Sequence, residues 1–176
     1  MKAASGGWFS AFVEANLRGM ADPPGSKLGK RRVTRLLCLH FMLALSRNKK
    51  RAFTTGHAHA AKDLNIPVPV VRYLFNLFAA EERGFSMAKY SRTQTLKAKL
   101  HMHIVVLALL LGRGILDLNL LRQDLQVPPV KMTALARETG CTVETRGGKN
   151  GTHRAVLKLP LNFPVQQKAK GQKARR

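Results

Sequence analysis

Asp63-Leu64-Asn65-Ile66-Pro67 recurs 61 positions later as Asp124-Leu125-Gln126-Val127-Pro128. The echo extends in both directions without a gap. Leu39-His40 falls on Leu100-His101, and Val71 and Leu74 fall on Met132 and Leu135. Self-similarity at a fixed offset implies two copies of one supersecondary unit. What that unit is decides the fold.

The first copy reads as a helix-turn-helix. Ala60 and Ala61 are small enough for two helices to approach closely, and Leu64 closes the first of them toward the core. Asn65 stands where the chain reverses, and Asn tolerates the left-handed conformation better than most residues. Ile66 plugs the gap between the helices. Pro67 presets φ for the next helix and removes a donor that has no partner there. In the second copy Gln126 takes the reversing position, a poorer fit.

The flanking pattern supplies the rest of each unit. A basic stretch, 27–35, leads into a helix ending near Ser46, with Val33, Leu36, Leu37, His40, Leu43 and Ala44 at helical spacing. Short helices are expected over 57–64 and 119–125, and longer ones over 67–80 and 129–139. The second long opening helix spans 94–111, with Leu96, Leu100, Ile104, Leu107 and Leu111 as its stripe, and Gly112-Arg113-Gly114 stops it. Residues 81–90 read as a connector with a short strand at 85–88. After the last helix, 141–145 alternates as a strand, 146–152 is a Gly-rich basic loop, and 154–159 supplies a second strand. Ala155, Leu157 and Leu159 are expected on its buried face.

Three helices followed by a basic hairpin describe a winged helix. The expected architecture is therefore mainly α with small β-hairpin wings, a tandem winged helix. The first wing is reduced or hidden between Gly84 and Ser91. The expected division is a leader or linker remnant at 1–27, winged helix 1 at 28–90, winged helix 2 at 91–163 and a basic disordered tail at 164–176. In the leader, Trp8-Phe9 with Phe12-Val13 suggests a short amphipathic helix. The short connector predicts that the two units act as one rigid body.

Composition points to a partner. The chain has 176 residues, 45% of them apolar, so it can bury a core. Its 31 Lys and Arg against 9 Asp and Glu leave a net charge of +22. Such an excess indicates a polyanion, nucleic acid before an acidic membrane surface. No secretory signal is read at the start, and the longest apolar run, 104–111, is too short to span a bilayer. Cys38 and Cys141 lack metal-ligand spacing and are expected to be reduced.

In such units the third helix can enter the major groove while the wing touches backbone or minor groove. The candidate DNA-binding residues are Lys30, Arg31 and Arg32 on the basic approach, and Arg72 and Asn76 on the first such helix. The second helix adds Lys131, Thr133 and Arg137, and its wing adds Arg146, Lys149, His153 and Arg154. Singly, each is also what an ordinary solvated face looks like; as a set, in so basic a chain, they favour binding. Lys and Arg mostly contact phosphates, which position without specifying. Largely sequence-independent, salt-sensitive binding is the expectation. The pairs His57/His59 and His101/His103 are spaced i, i+2, which divides them between helix faces. No metal site, cofactor or catalytic constellation is read in the sequence.

The residues also carry a resemblance. Lys97-Ala98-Lys99-Leu100, Leu107-Ala108-Leu109 and Asp117-Leu118 are its opening part, followed by Leu120-Leu121-Arg122-Gln123-Asp124-Leu125. Lys131-Met132, Gly140-Cys141 and the closing Val156-Leu157-Lys158-Leu159-Pro160-Leu161 complete it. With the first copy, the span 32–160 resembles the C-terminal tandem winged-helix domain of the forty-nine-kilodalton subunit of RNA polymerase I. The resemblance covers roughly three quarters of the chain. It implies a non-catalytic accessory subunit in the nucleus and nucleolus, contacting the polymerase core and DNA and supporting ribosomal RNA synthesis. Family members also carry an N-terminal module that pairs with a partner subunit. This chain starts almost at the tandem domain, which leaves that heterodimerisation open, as for a short subunit, a fragment or a separately encoded module. The alternatives are a winged-helix transcription regulator not tied to polymerase I and a basic ribosome- or RNA-binding protein. The last explains the charge but not the repeat.

Overall fold

The two predicted turns are built the same way. Asn65 (φ 53°) and Gln126 (φ 54°) both adopt the left-handed conformation. The Ile66 amide donates back to the Ala61 carbonyl at 3.0 Å and Val127 to Arg122 at 3.3 Å. The Asn65 and Gln126 amides bond three residues back, to Lys62 at 3.2 Å and Gln123 at 3.3 Å. This nested pair is a Schellman closure, which satisfies carbonyls that a helix end leaves open. Gln126 takes the conformation despite a local cost of about 1 kcal/mol, because Leu125 and Val127 on either side are buried.

The computed structural model describes residues 9–20, 25–48, 52–53, 56–82, 89–146, 152–161 and 163–164. A first helix, α1 (Ala11–Arg18), precedes two units of identical order. The first runs α2 (Lys27–Arg47), β1 (Ala52–Phe53), α3 (Gly56–Leu64), α4 (Val68–Phe78), β2 (Ala80–Glu82) and β3 (Lys89–Ser91). The second runs α5 (Gln94–Leu111), β4 (Ile115–Asp117), α6 (Leu118–Leu125), α7 (Pro129–Glu138), β5 (Thr142–Arg146) and β6 (Thr152–Val156). The molecule is thus mainly α, with a small antiparallel sheet in each unit, ordered β1-β3-β2 and β4-β6-β5.

The helices follow their sequence signals closely. Ser26 caps α2 by accepting from the Gly29 amide, and Thr93 caps α5 by accepting from Leu96. Asp117 accepts from the Asn119 and Leu120 amides, which starts α6 at Leu118. At the end of α5, a Cβ on Gly112 would lie 2.0 Å from the Ile115 carbonyl oxygen, so only glycine fits.

Three features differ from the sequence reading. Strands β1 and β4 are too short to show alternation, yet each completes a three-stranded sheet. Strand β6 ends at Val156, because its ladder partner β4 ends where Ile115 pairs with Val156. The chain then leaves the sheet, with the Leu157 amide donating to the Gly114 carbonyl at 2.8 Å. Ala155 is buried as expected, but Leu157 and Leu159 are exposed, Leu159 by 89%. On α2 the buried set is Leu36, Leu39, Met42, Leu43 and Leu45, whereas Leu37 faces outward. The apolar face is displaced because α1, α5 and α6 all pack against this helix. The expected strand at 85–88, residues 147–151 of the expected loop and the tail from 165 onward lie outside the described residues.

Helix α5 is 18 residues long with a mean hydropathy of 1.3, long and apolar enough to cross a membrane. Here it is the central core helix, burying Leu100, Ile104, Val105 and Ala108 between α2 and α7. The helix of the leader is also part of the core, with Phe12 and Val13 buried.

The last turn of α2 joins the two units. Arg47 donates from Nη2 to Asp124 Oδ1 at 2.5 Å and from Nε to the Asp124 carbonyl at 2.9 Å. Asp124 Oδ2 accepts the Phe12 amide at 2.9 Å, which ties α1 to the same point. Ser46 Oγ meets His101 Nε2 at 2.9 Å. Arg92 donates to the Leu45 and Asn48 carbonyls, two groups left open by the helix end.

Asp124 is 5% exposed. Replacing it by Ala strands Arg47 and the Phe12 amide, which should cost about 3 kcal/mol. Asp63→Ala, at the equivalent but exposed position, should cost less than half as much. Urea midpoints of the two variants at neutral pH measure the difference. Burial, then the charges of Lys131, Lys97 and Arg92, push the His101 pKa down to about 4. The unfolded chain therefore holds the proton that the folded chain refuses between pH 6.5 and about 4. Stability should fall as pH drops through that window, and His101→Gln should flatten the slope. His40, lowered by burial and then Arg47, should leave a residual slope in that variant.

Candidate nucleic-acid interface

Helices α4 and α7 begin at equivalent repeat positions, Val68 and Pro129. Their buried faces match as well: Val71, Leu74 and Phe75 on α4 correspond to Met132, Leu135 and Ala136 on α7. The register fixes what points outward. Arg72 and Asn76 on α4 are the counterparts of Thr133 and Arg137 on α7, 61 positions on in the sequence. Arg72, Asn76 and Arg137 are exposed and Thr133 is half-buried. The predicted residues thus form one pair per unit on the same helix flank.

Lys131 does not join them. It is exposed but lies on the opposite flank of α7, where its charge acts on His101 of α5. Helical spacing separates it from Arg137 by roughly 120° around the axis.

The start of α2 is the densest basic surface. Lys27, Lys30, Arg31, Thr34 and Arg35 line a concavity of about 660 Å³ with Gly25. The concavity lies at the first two turns of α2, and no acidic residue stands in the first. Cations on a helix N-terminus make a surface suited to anions. Arg32 is the exception, half-buried and on the side of the helix that carries Leu36 and Leu39. Lys27 and Arg35 belong to the surface although the sequence reading did not single them out. The charge run contained them, and only the helical register shows that they share a face with Arg31.

The β5–β6 hairpin is less basic than its sequence suggests. In the β5–β6 ladder Arg154 lies opposite Glu144, and across the β4–β6 ladder it lies opposite Asp117. Neighbours directly opposite share a face of the sheet, so two acidic positions stand on the same face as Arg154. Lys158 is likewise engaged, donating to Glu144 at 2.7 Å. His153 Nδ1 sits 3.3 Å from Thr145 Oγ1. Arg146 pairs with Thr152 at the far end of the hairpin; Lys149 lies outside the described residues.

No curated protein sequence matches the chain. The family model of the A49-like RNA polymerase I associated factor matches residues 2–164, a span that holds both units and the helix before them. The chain belongs to the A49-like RNA polymerase I associated factor family.

Proposed function

We propose that this RNA polymerase I associated factor is a non-catalytic, DNA-binding accessory subunit that supports transcription of ribosomal RNA genes in the nucleolus. In this reading the two units are winged helices at 28–90 and 91–163, between a leader at 1–27 and a basic tail at 164–176. The observation that carries it is the duplicated helix flank, Arg72 and Asn76 with Thr133 and Arg137, in a chain of net charge +22. The basic start of α2 adds a third contact region. The partners are duplex DNA, held mainly through phosphates, and the polymerase core.

The rank of the contacts follows from their neighbours. Arg72 and Arg137 are exposed on their helices, whereas Arg154 shares a sheet face with Glu144 and Asp117. A phosphate must compete with those carboxylates for Arg154, so it contributes less.

Two measurements test the proposal. In duplex titrations at several salt concentrations, Arg137→Ala should weaken binding of unrelated sequences alike and reduce the log–log salt slope by about 0.9. Lys30→Glu with Arg31→Glu should cost at least about tenfold at low salt. Arg154→Ala should change both quantities less than Arg137→Ala. Loss confined to one sequence contradicts phosphate-dominated binding. Affinity purification of the tagged chain should recover the large polymerase I subunits. Recovery of DNA without them favours a winged-helix regulator, and retention of structured RNA alone favours a ribosome- or RNA-binding protein.

A further inference from the structure

Helix α4 has two outward flanks of opposite chemistry. Arg72 and Asn76 stand on one. Tyr73 and Leu77 stand on the other, roughly 100° around the axis. The second flank borders a groove completed by α2, through Cys38 and Met42, and by α5, through Val106 and Leu110. It consists of two depressions of about 400 and 460 Å³, which meet at Met42 and His103. Tyr73 is 64% exposed and Leu110 56%. A contiguous apolar surface of this kind on a strongly charged protein marks an interaction site.

The charges around the groove say what fits it. Ser46 meets His101, while Met42, one turn earlier on α2, shares a depression with Val106 and Leu110 further along α5. The two helices therefore run antiparallel. On α2 the positions Arg31, Arg35, Cys38 and Met42 form one stripe, and on α5 Lys99, His103, Val106 and Leu110 form another. The antiparallel arrangement puts Arg31 and Arg35 toward the Leu110 end and Lys99 at the other. Lys99 is held there, donating to the Leu77 carbonyl at 3.1 Å, with its ammonium 5.8 Å from the Phe78 ring centroid. None of the residues lining either depression is a carboxylate.

We propose that this groove docks an amphipathic helix of a partner protein, roughly three turns long, with an apolar stripe and carboxylates at both ends. The apolar floor supplies the contact area and the terminal cations set the register. Nucleic acid does not suit a floor without cations. A second copy of this chain would bring two basic rims together at a net charge of +22 each. The groove is distinct from the flank carrying Arg72 and Asn76 and shares only Arg31 and Arg35, at one rim, with the basic start of α2, so the inference does not depend on DNA binding.

The test uses the full chain and a fluorescein-labelled synthetic helix of about 16 residues, with Leu and Trp at i, i+3, i+4, i+7 and Glu at both ends. The expected result is saturable anisotropy, with affinity reduced at least about tenfold for a scrambled peptide of identical composition. Tyr73→Ser and Leu110→Ser, at exposed positions that leave the core intact, should each weaken the designed peptide several-fold while duplex binding is unchanged. In the wild-type chain the peptide should shift the Met42 and Met102 methyl resonances and leave buried Met132 unmoved. Equal binding of the scrambled peptide, or unshifted Met42 and Met102, overturns the proposal. So does concentration-dependent dimerisation that Tyr73→Ser abolishes, which assigns the groove to self-association. A loss of duplex affinity in either groove variant overturns it in favour of nucleic acid.

Discussion

The last turn of α2 is the constraint on which the arrangement of both units depends. A helix ends with carbonyls that lack intrahelical partners, and here the second unit supplies partners for them. Arg92 covers the Leu45 and Asn48 carbonyls, His101 meets Ser46, and Asp124 meets Arg47. The Phe12 amide reaches the other oxygen of Asp124. The connector between β3 and α5 is only two residues, so these bonds act on units that the chain already holds close. Packing of α2 on α5 supplies the area, and the polar groups fix the angle. Exposed ion pairs contribute little to stability. This one has a buried carboxylate and a half-exposed guanidinium, so breaking it leaves a charge in the core.

The junction also shows how two copies of one unit have diverged. Asp63 and Asp124 occupy the same position in the repeat, but Asp63 is exposed and Asp124 is buried against Arg47. Position 108 on α5, the counterpart of Arg47, is Ala, so the second unit does not return the Arg47–Asp124 pairing. His40 stands edge-on to Phe9 at a centroid distance of 5.2 Å, whereas His101 is buried and bonded to Ser46. Identical residues at identical positions thus do different work: in the first copy His40 meets the leader and Asp63 is exposed, while in the second His101 and Asp124 are buried at the junction. The offset of 61 survives where the fold is most demanding, from the left-handed residue through the start of the following helix. It slips where α2 and α5 begin, since those ends are not constrained by a turn.

Much of this was legible in the sequence for a definite reason. Helical periodicity over 94–111 and the capping residues around it leave few alternatives, and α5 spans those residues as read. The turn residues Asn65 and Gln126 announce the helix-turn-helix because few other conformations close a helix and reverse the chain at once. Strands β1 and β4 were not legible, since two or three residues carry no alternation, and their pairing partners lie far along the chain. The candidate surface was legible by residue type but not by grouping. That Lys131 departs from Arg137, and that Glu144 and Asp117 sit beside Arg154, are facts of helix angle and ladder register. Only the place of Asp117 beside Arg154 waits on strand β4.

The scarcity of acidic residues makes their placement informative. With 9 carboxylates against 31 cations, each carboxylate that pairs internally leaves the remaining positive surface less compensated. Glu82 pairs with Lys89 at 2.6 Å, Glu144 with Lys158 at 2.7 Å and Asp124 with Arg47 at 2.5 Å. Each pair ties separate parts of the fold together: strand to strand, strand to the segment after β6, and helix to helix. The start of α2 carries five cationic or polar lining residues and no carboxylate in its first turn. Self-repulsion there works against the compact state and is screened only beyond about 10 Å at ordinary ionic strength. A bound polyanion relieves that repulsion directly. Under the proposed function, the charge that weakens the free protein is therefore the same charge that drives it onto phosphate, and the two effects are linked through a single patch.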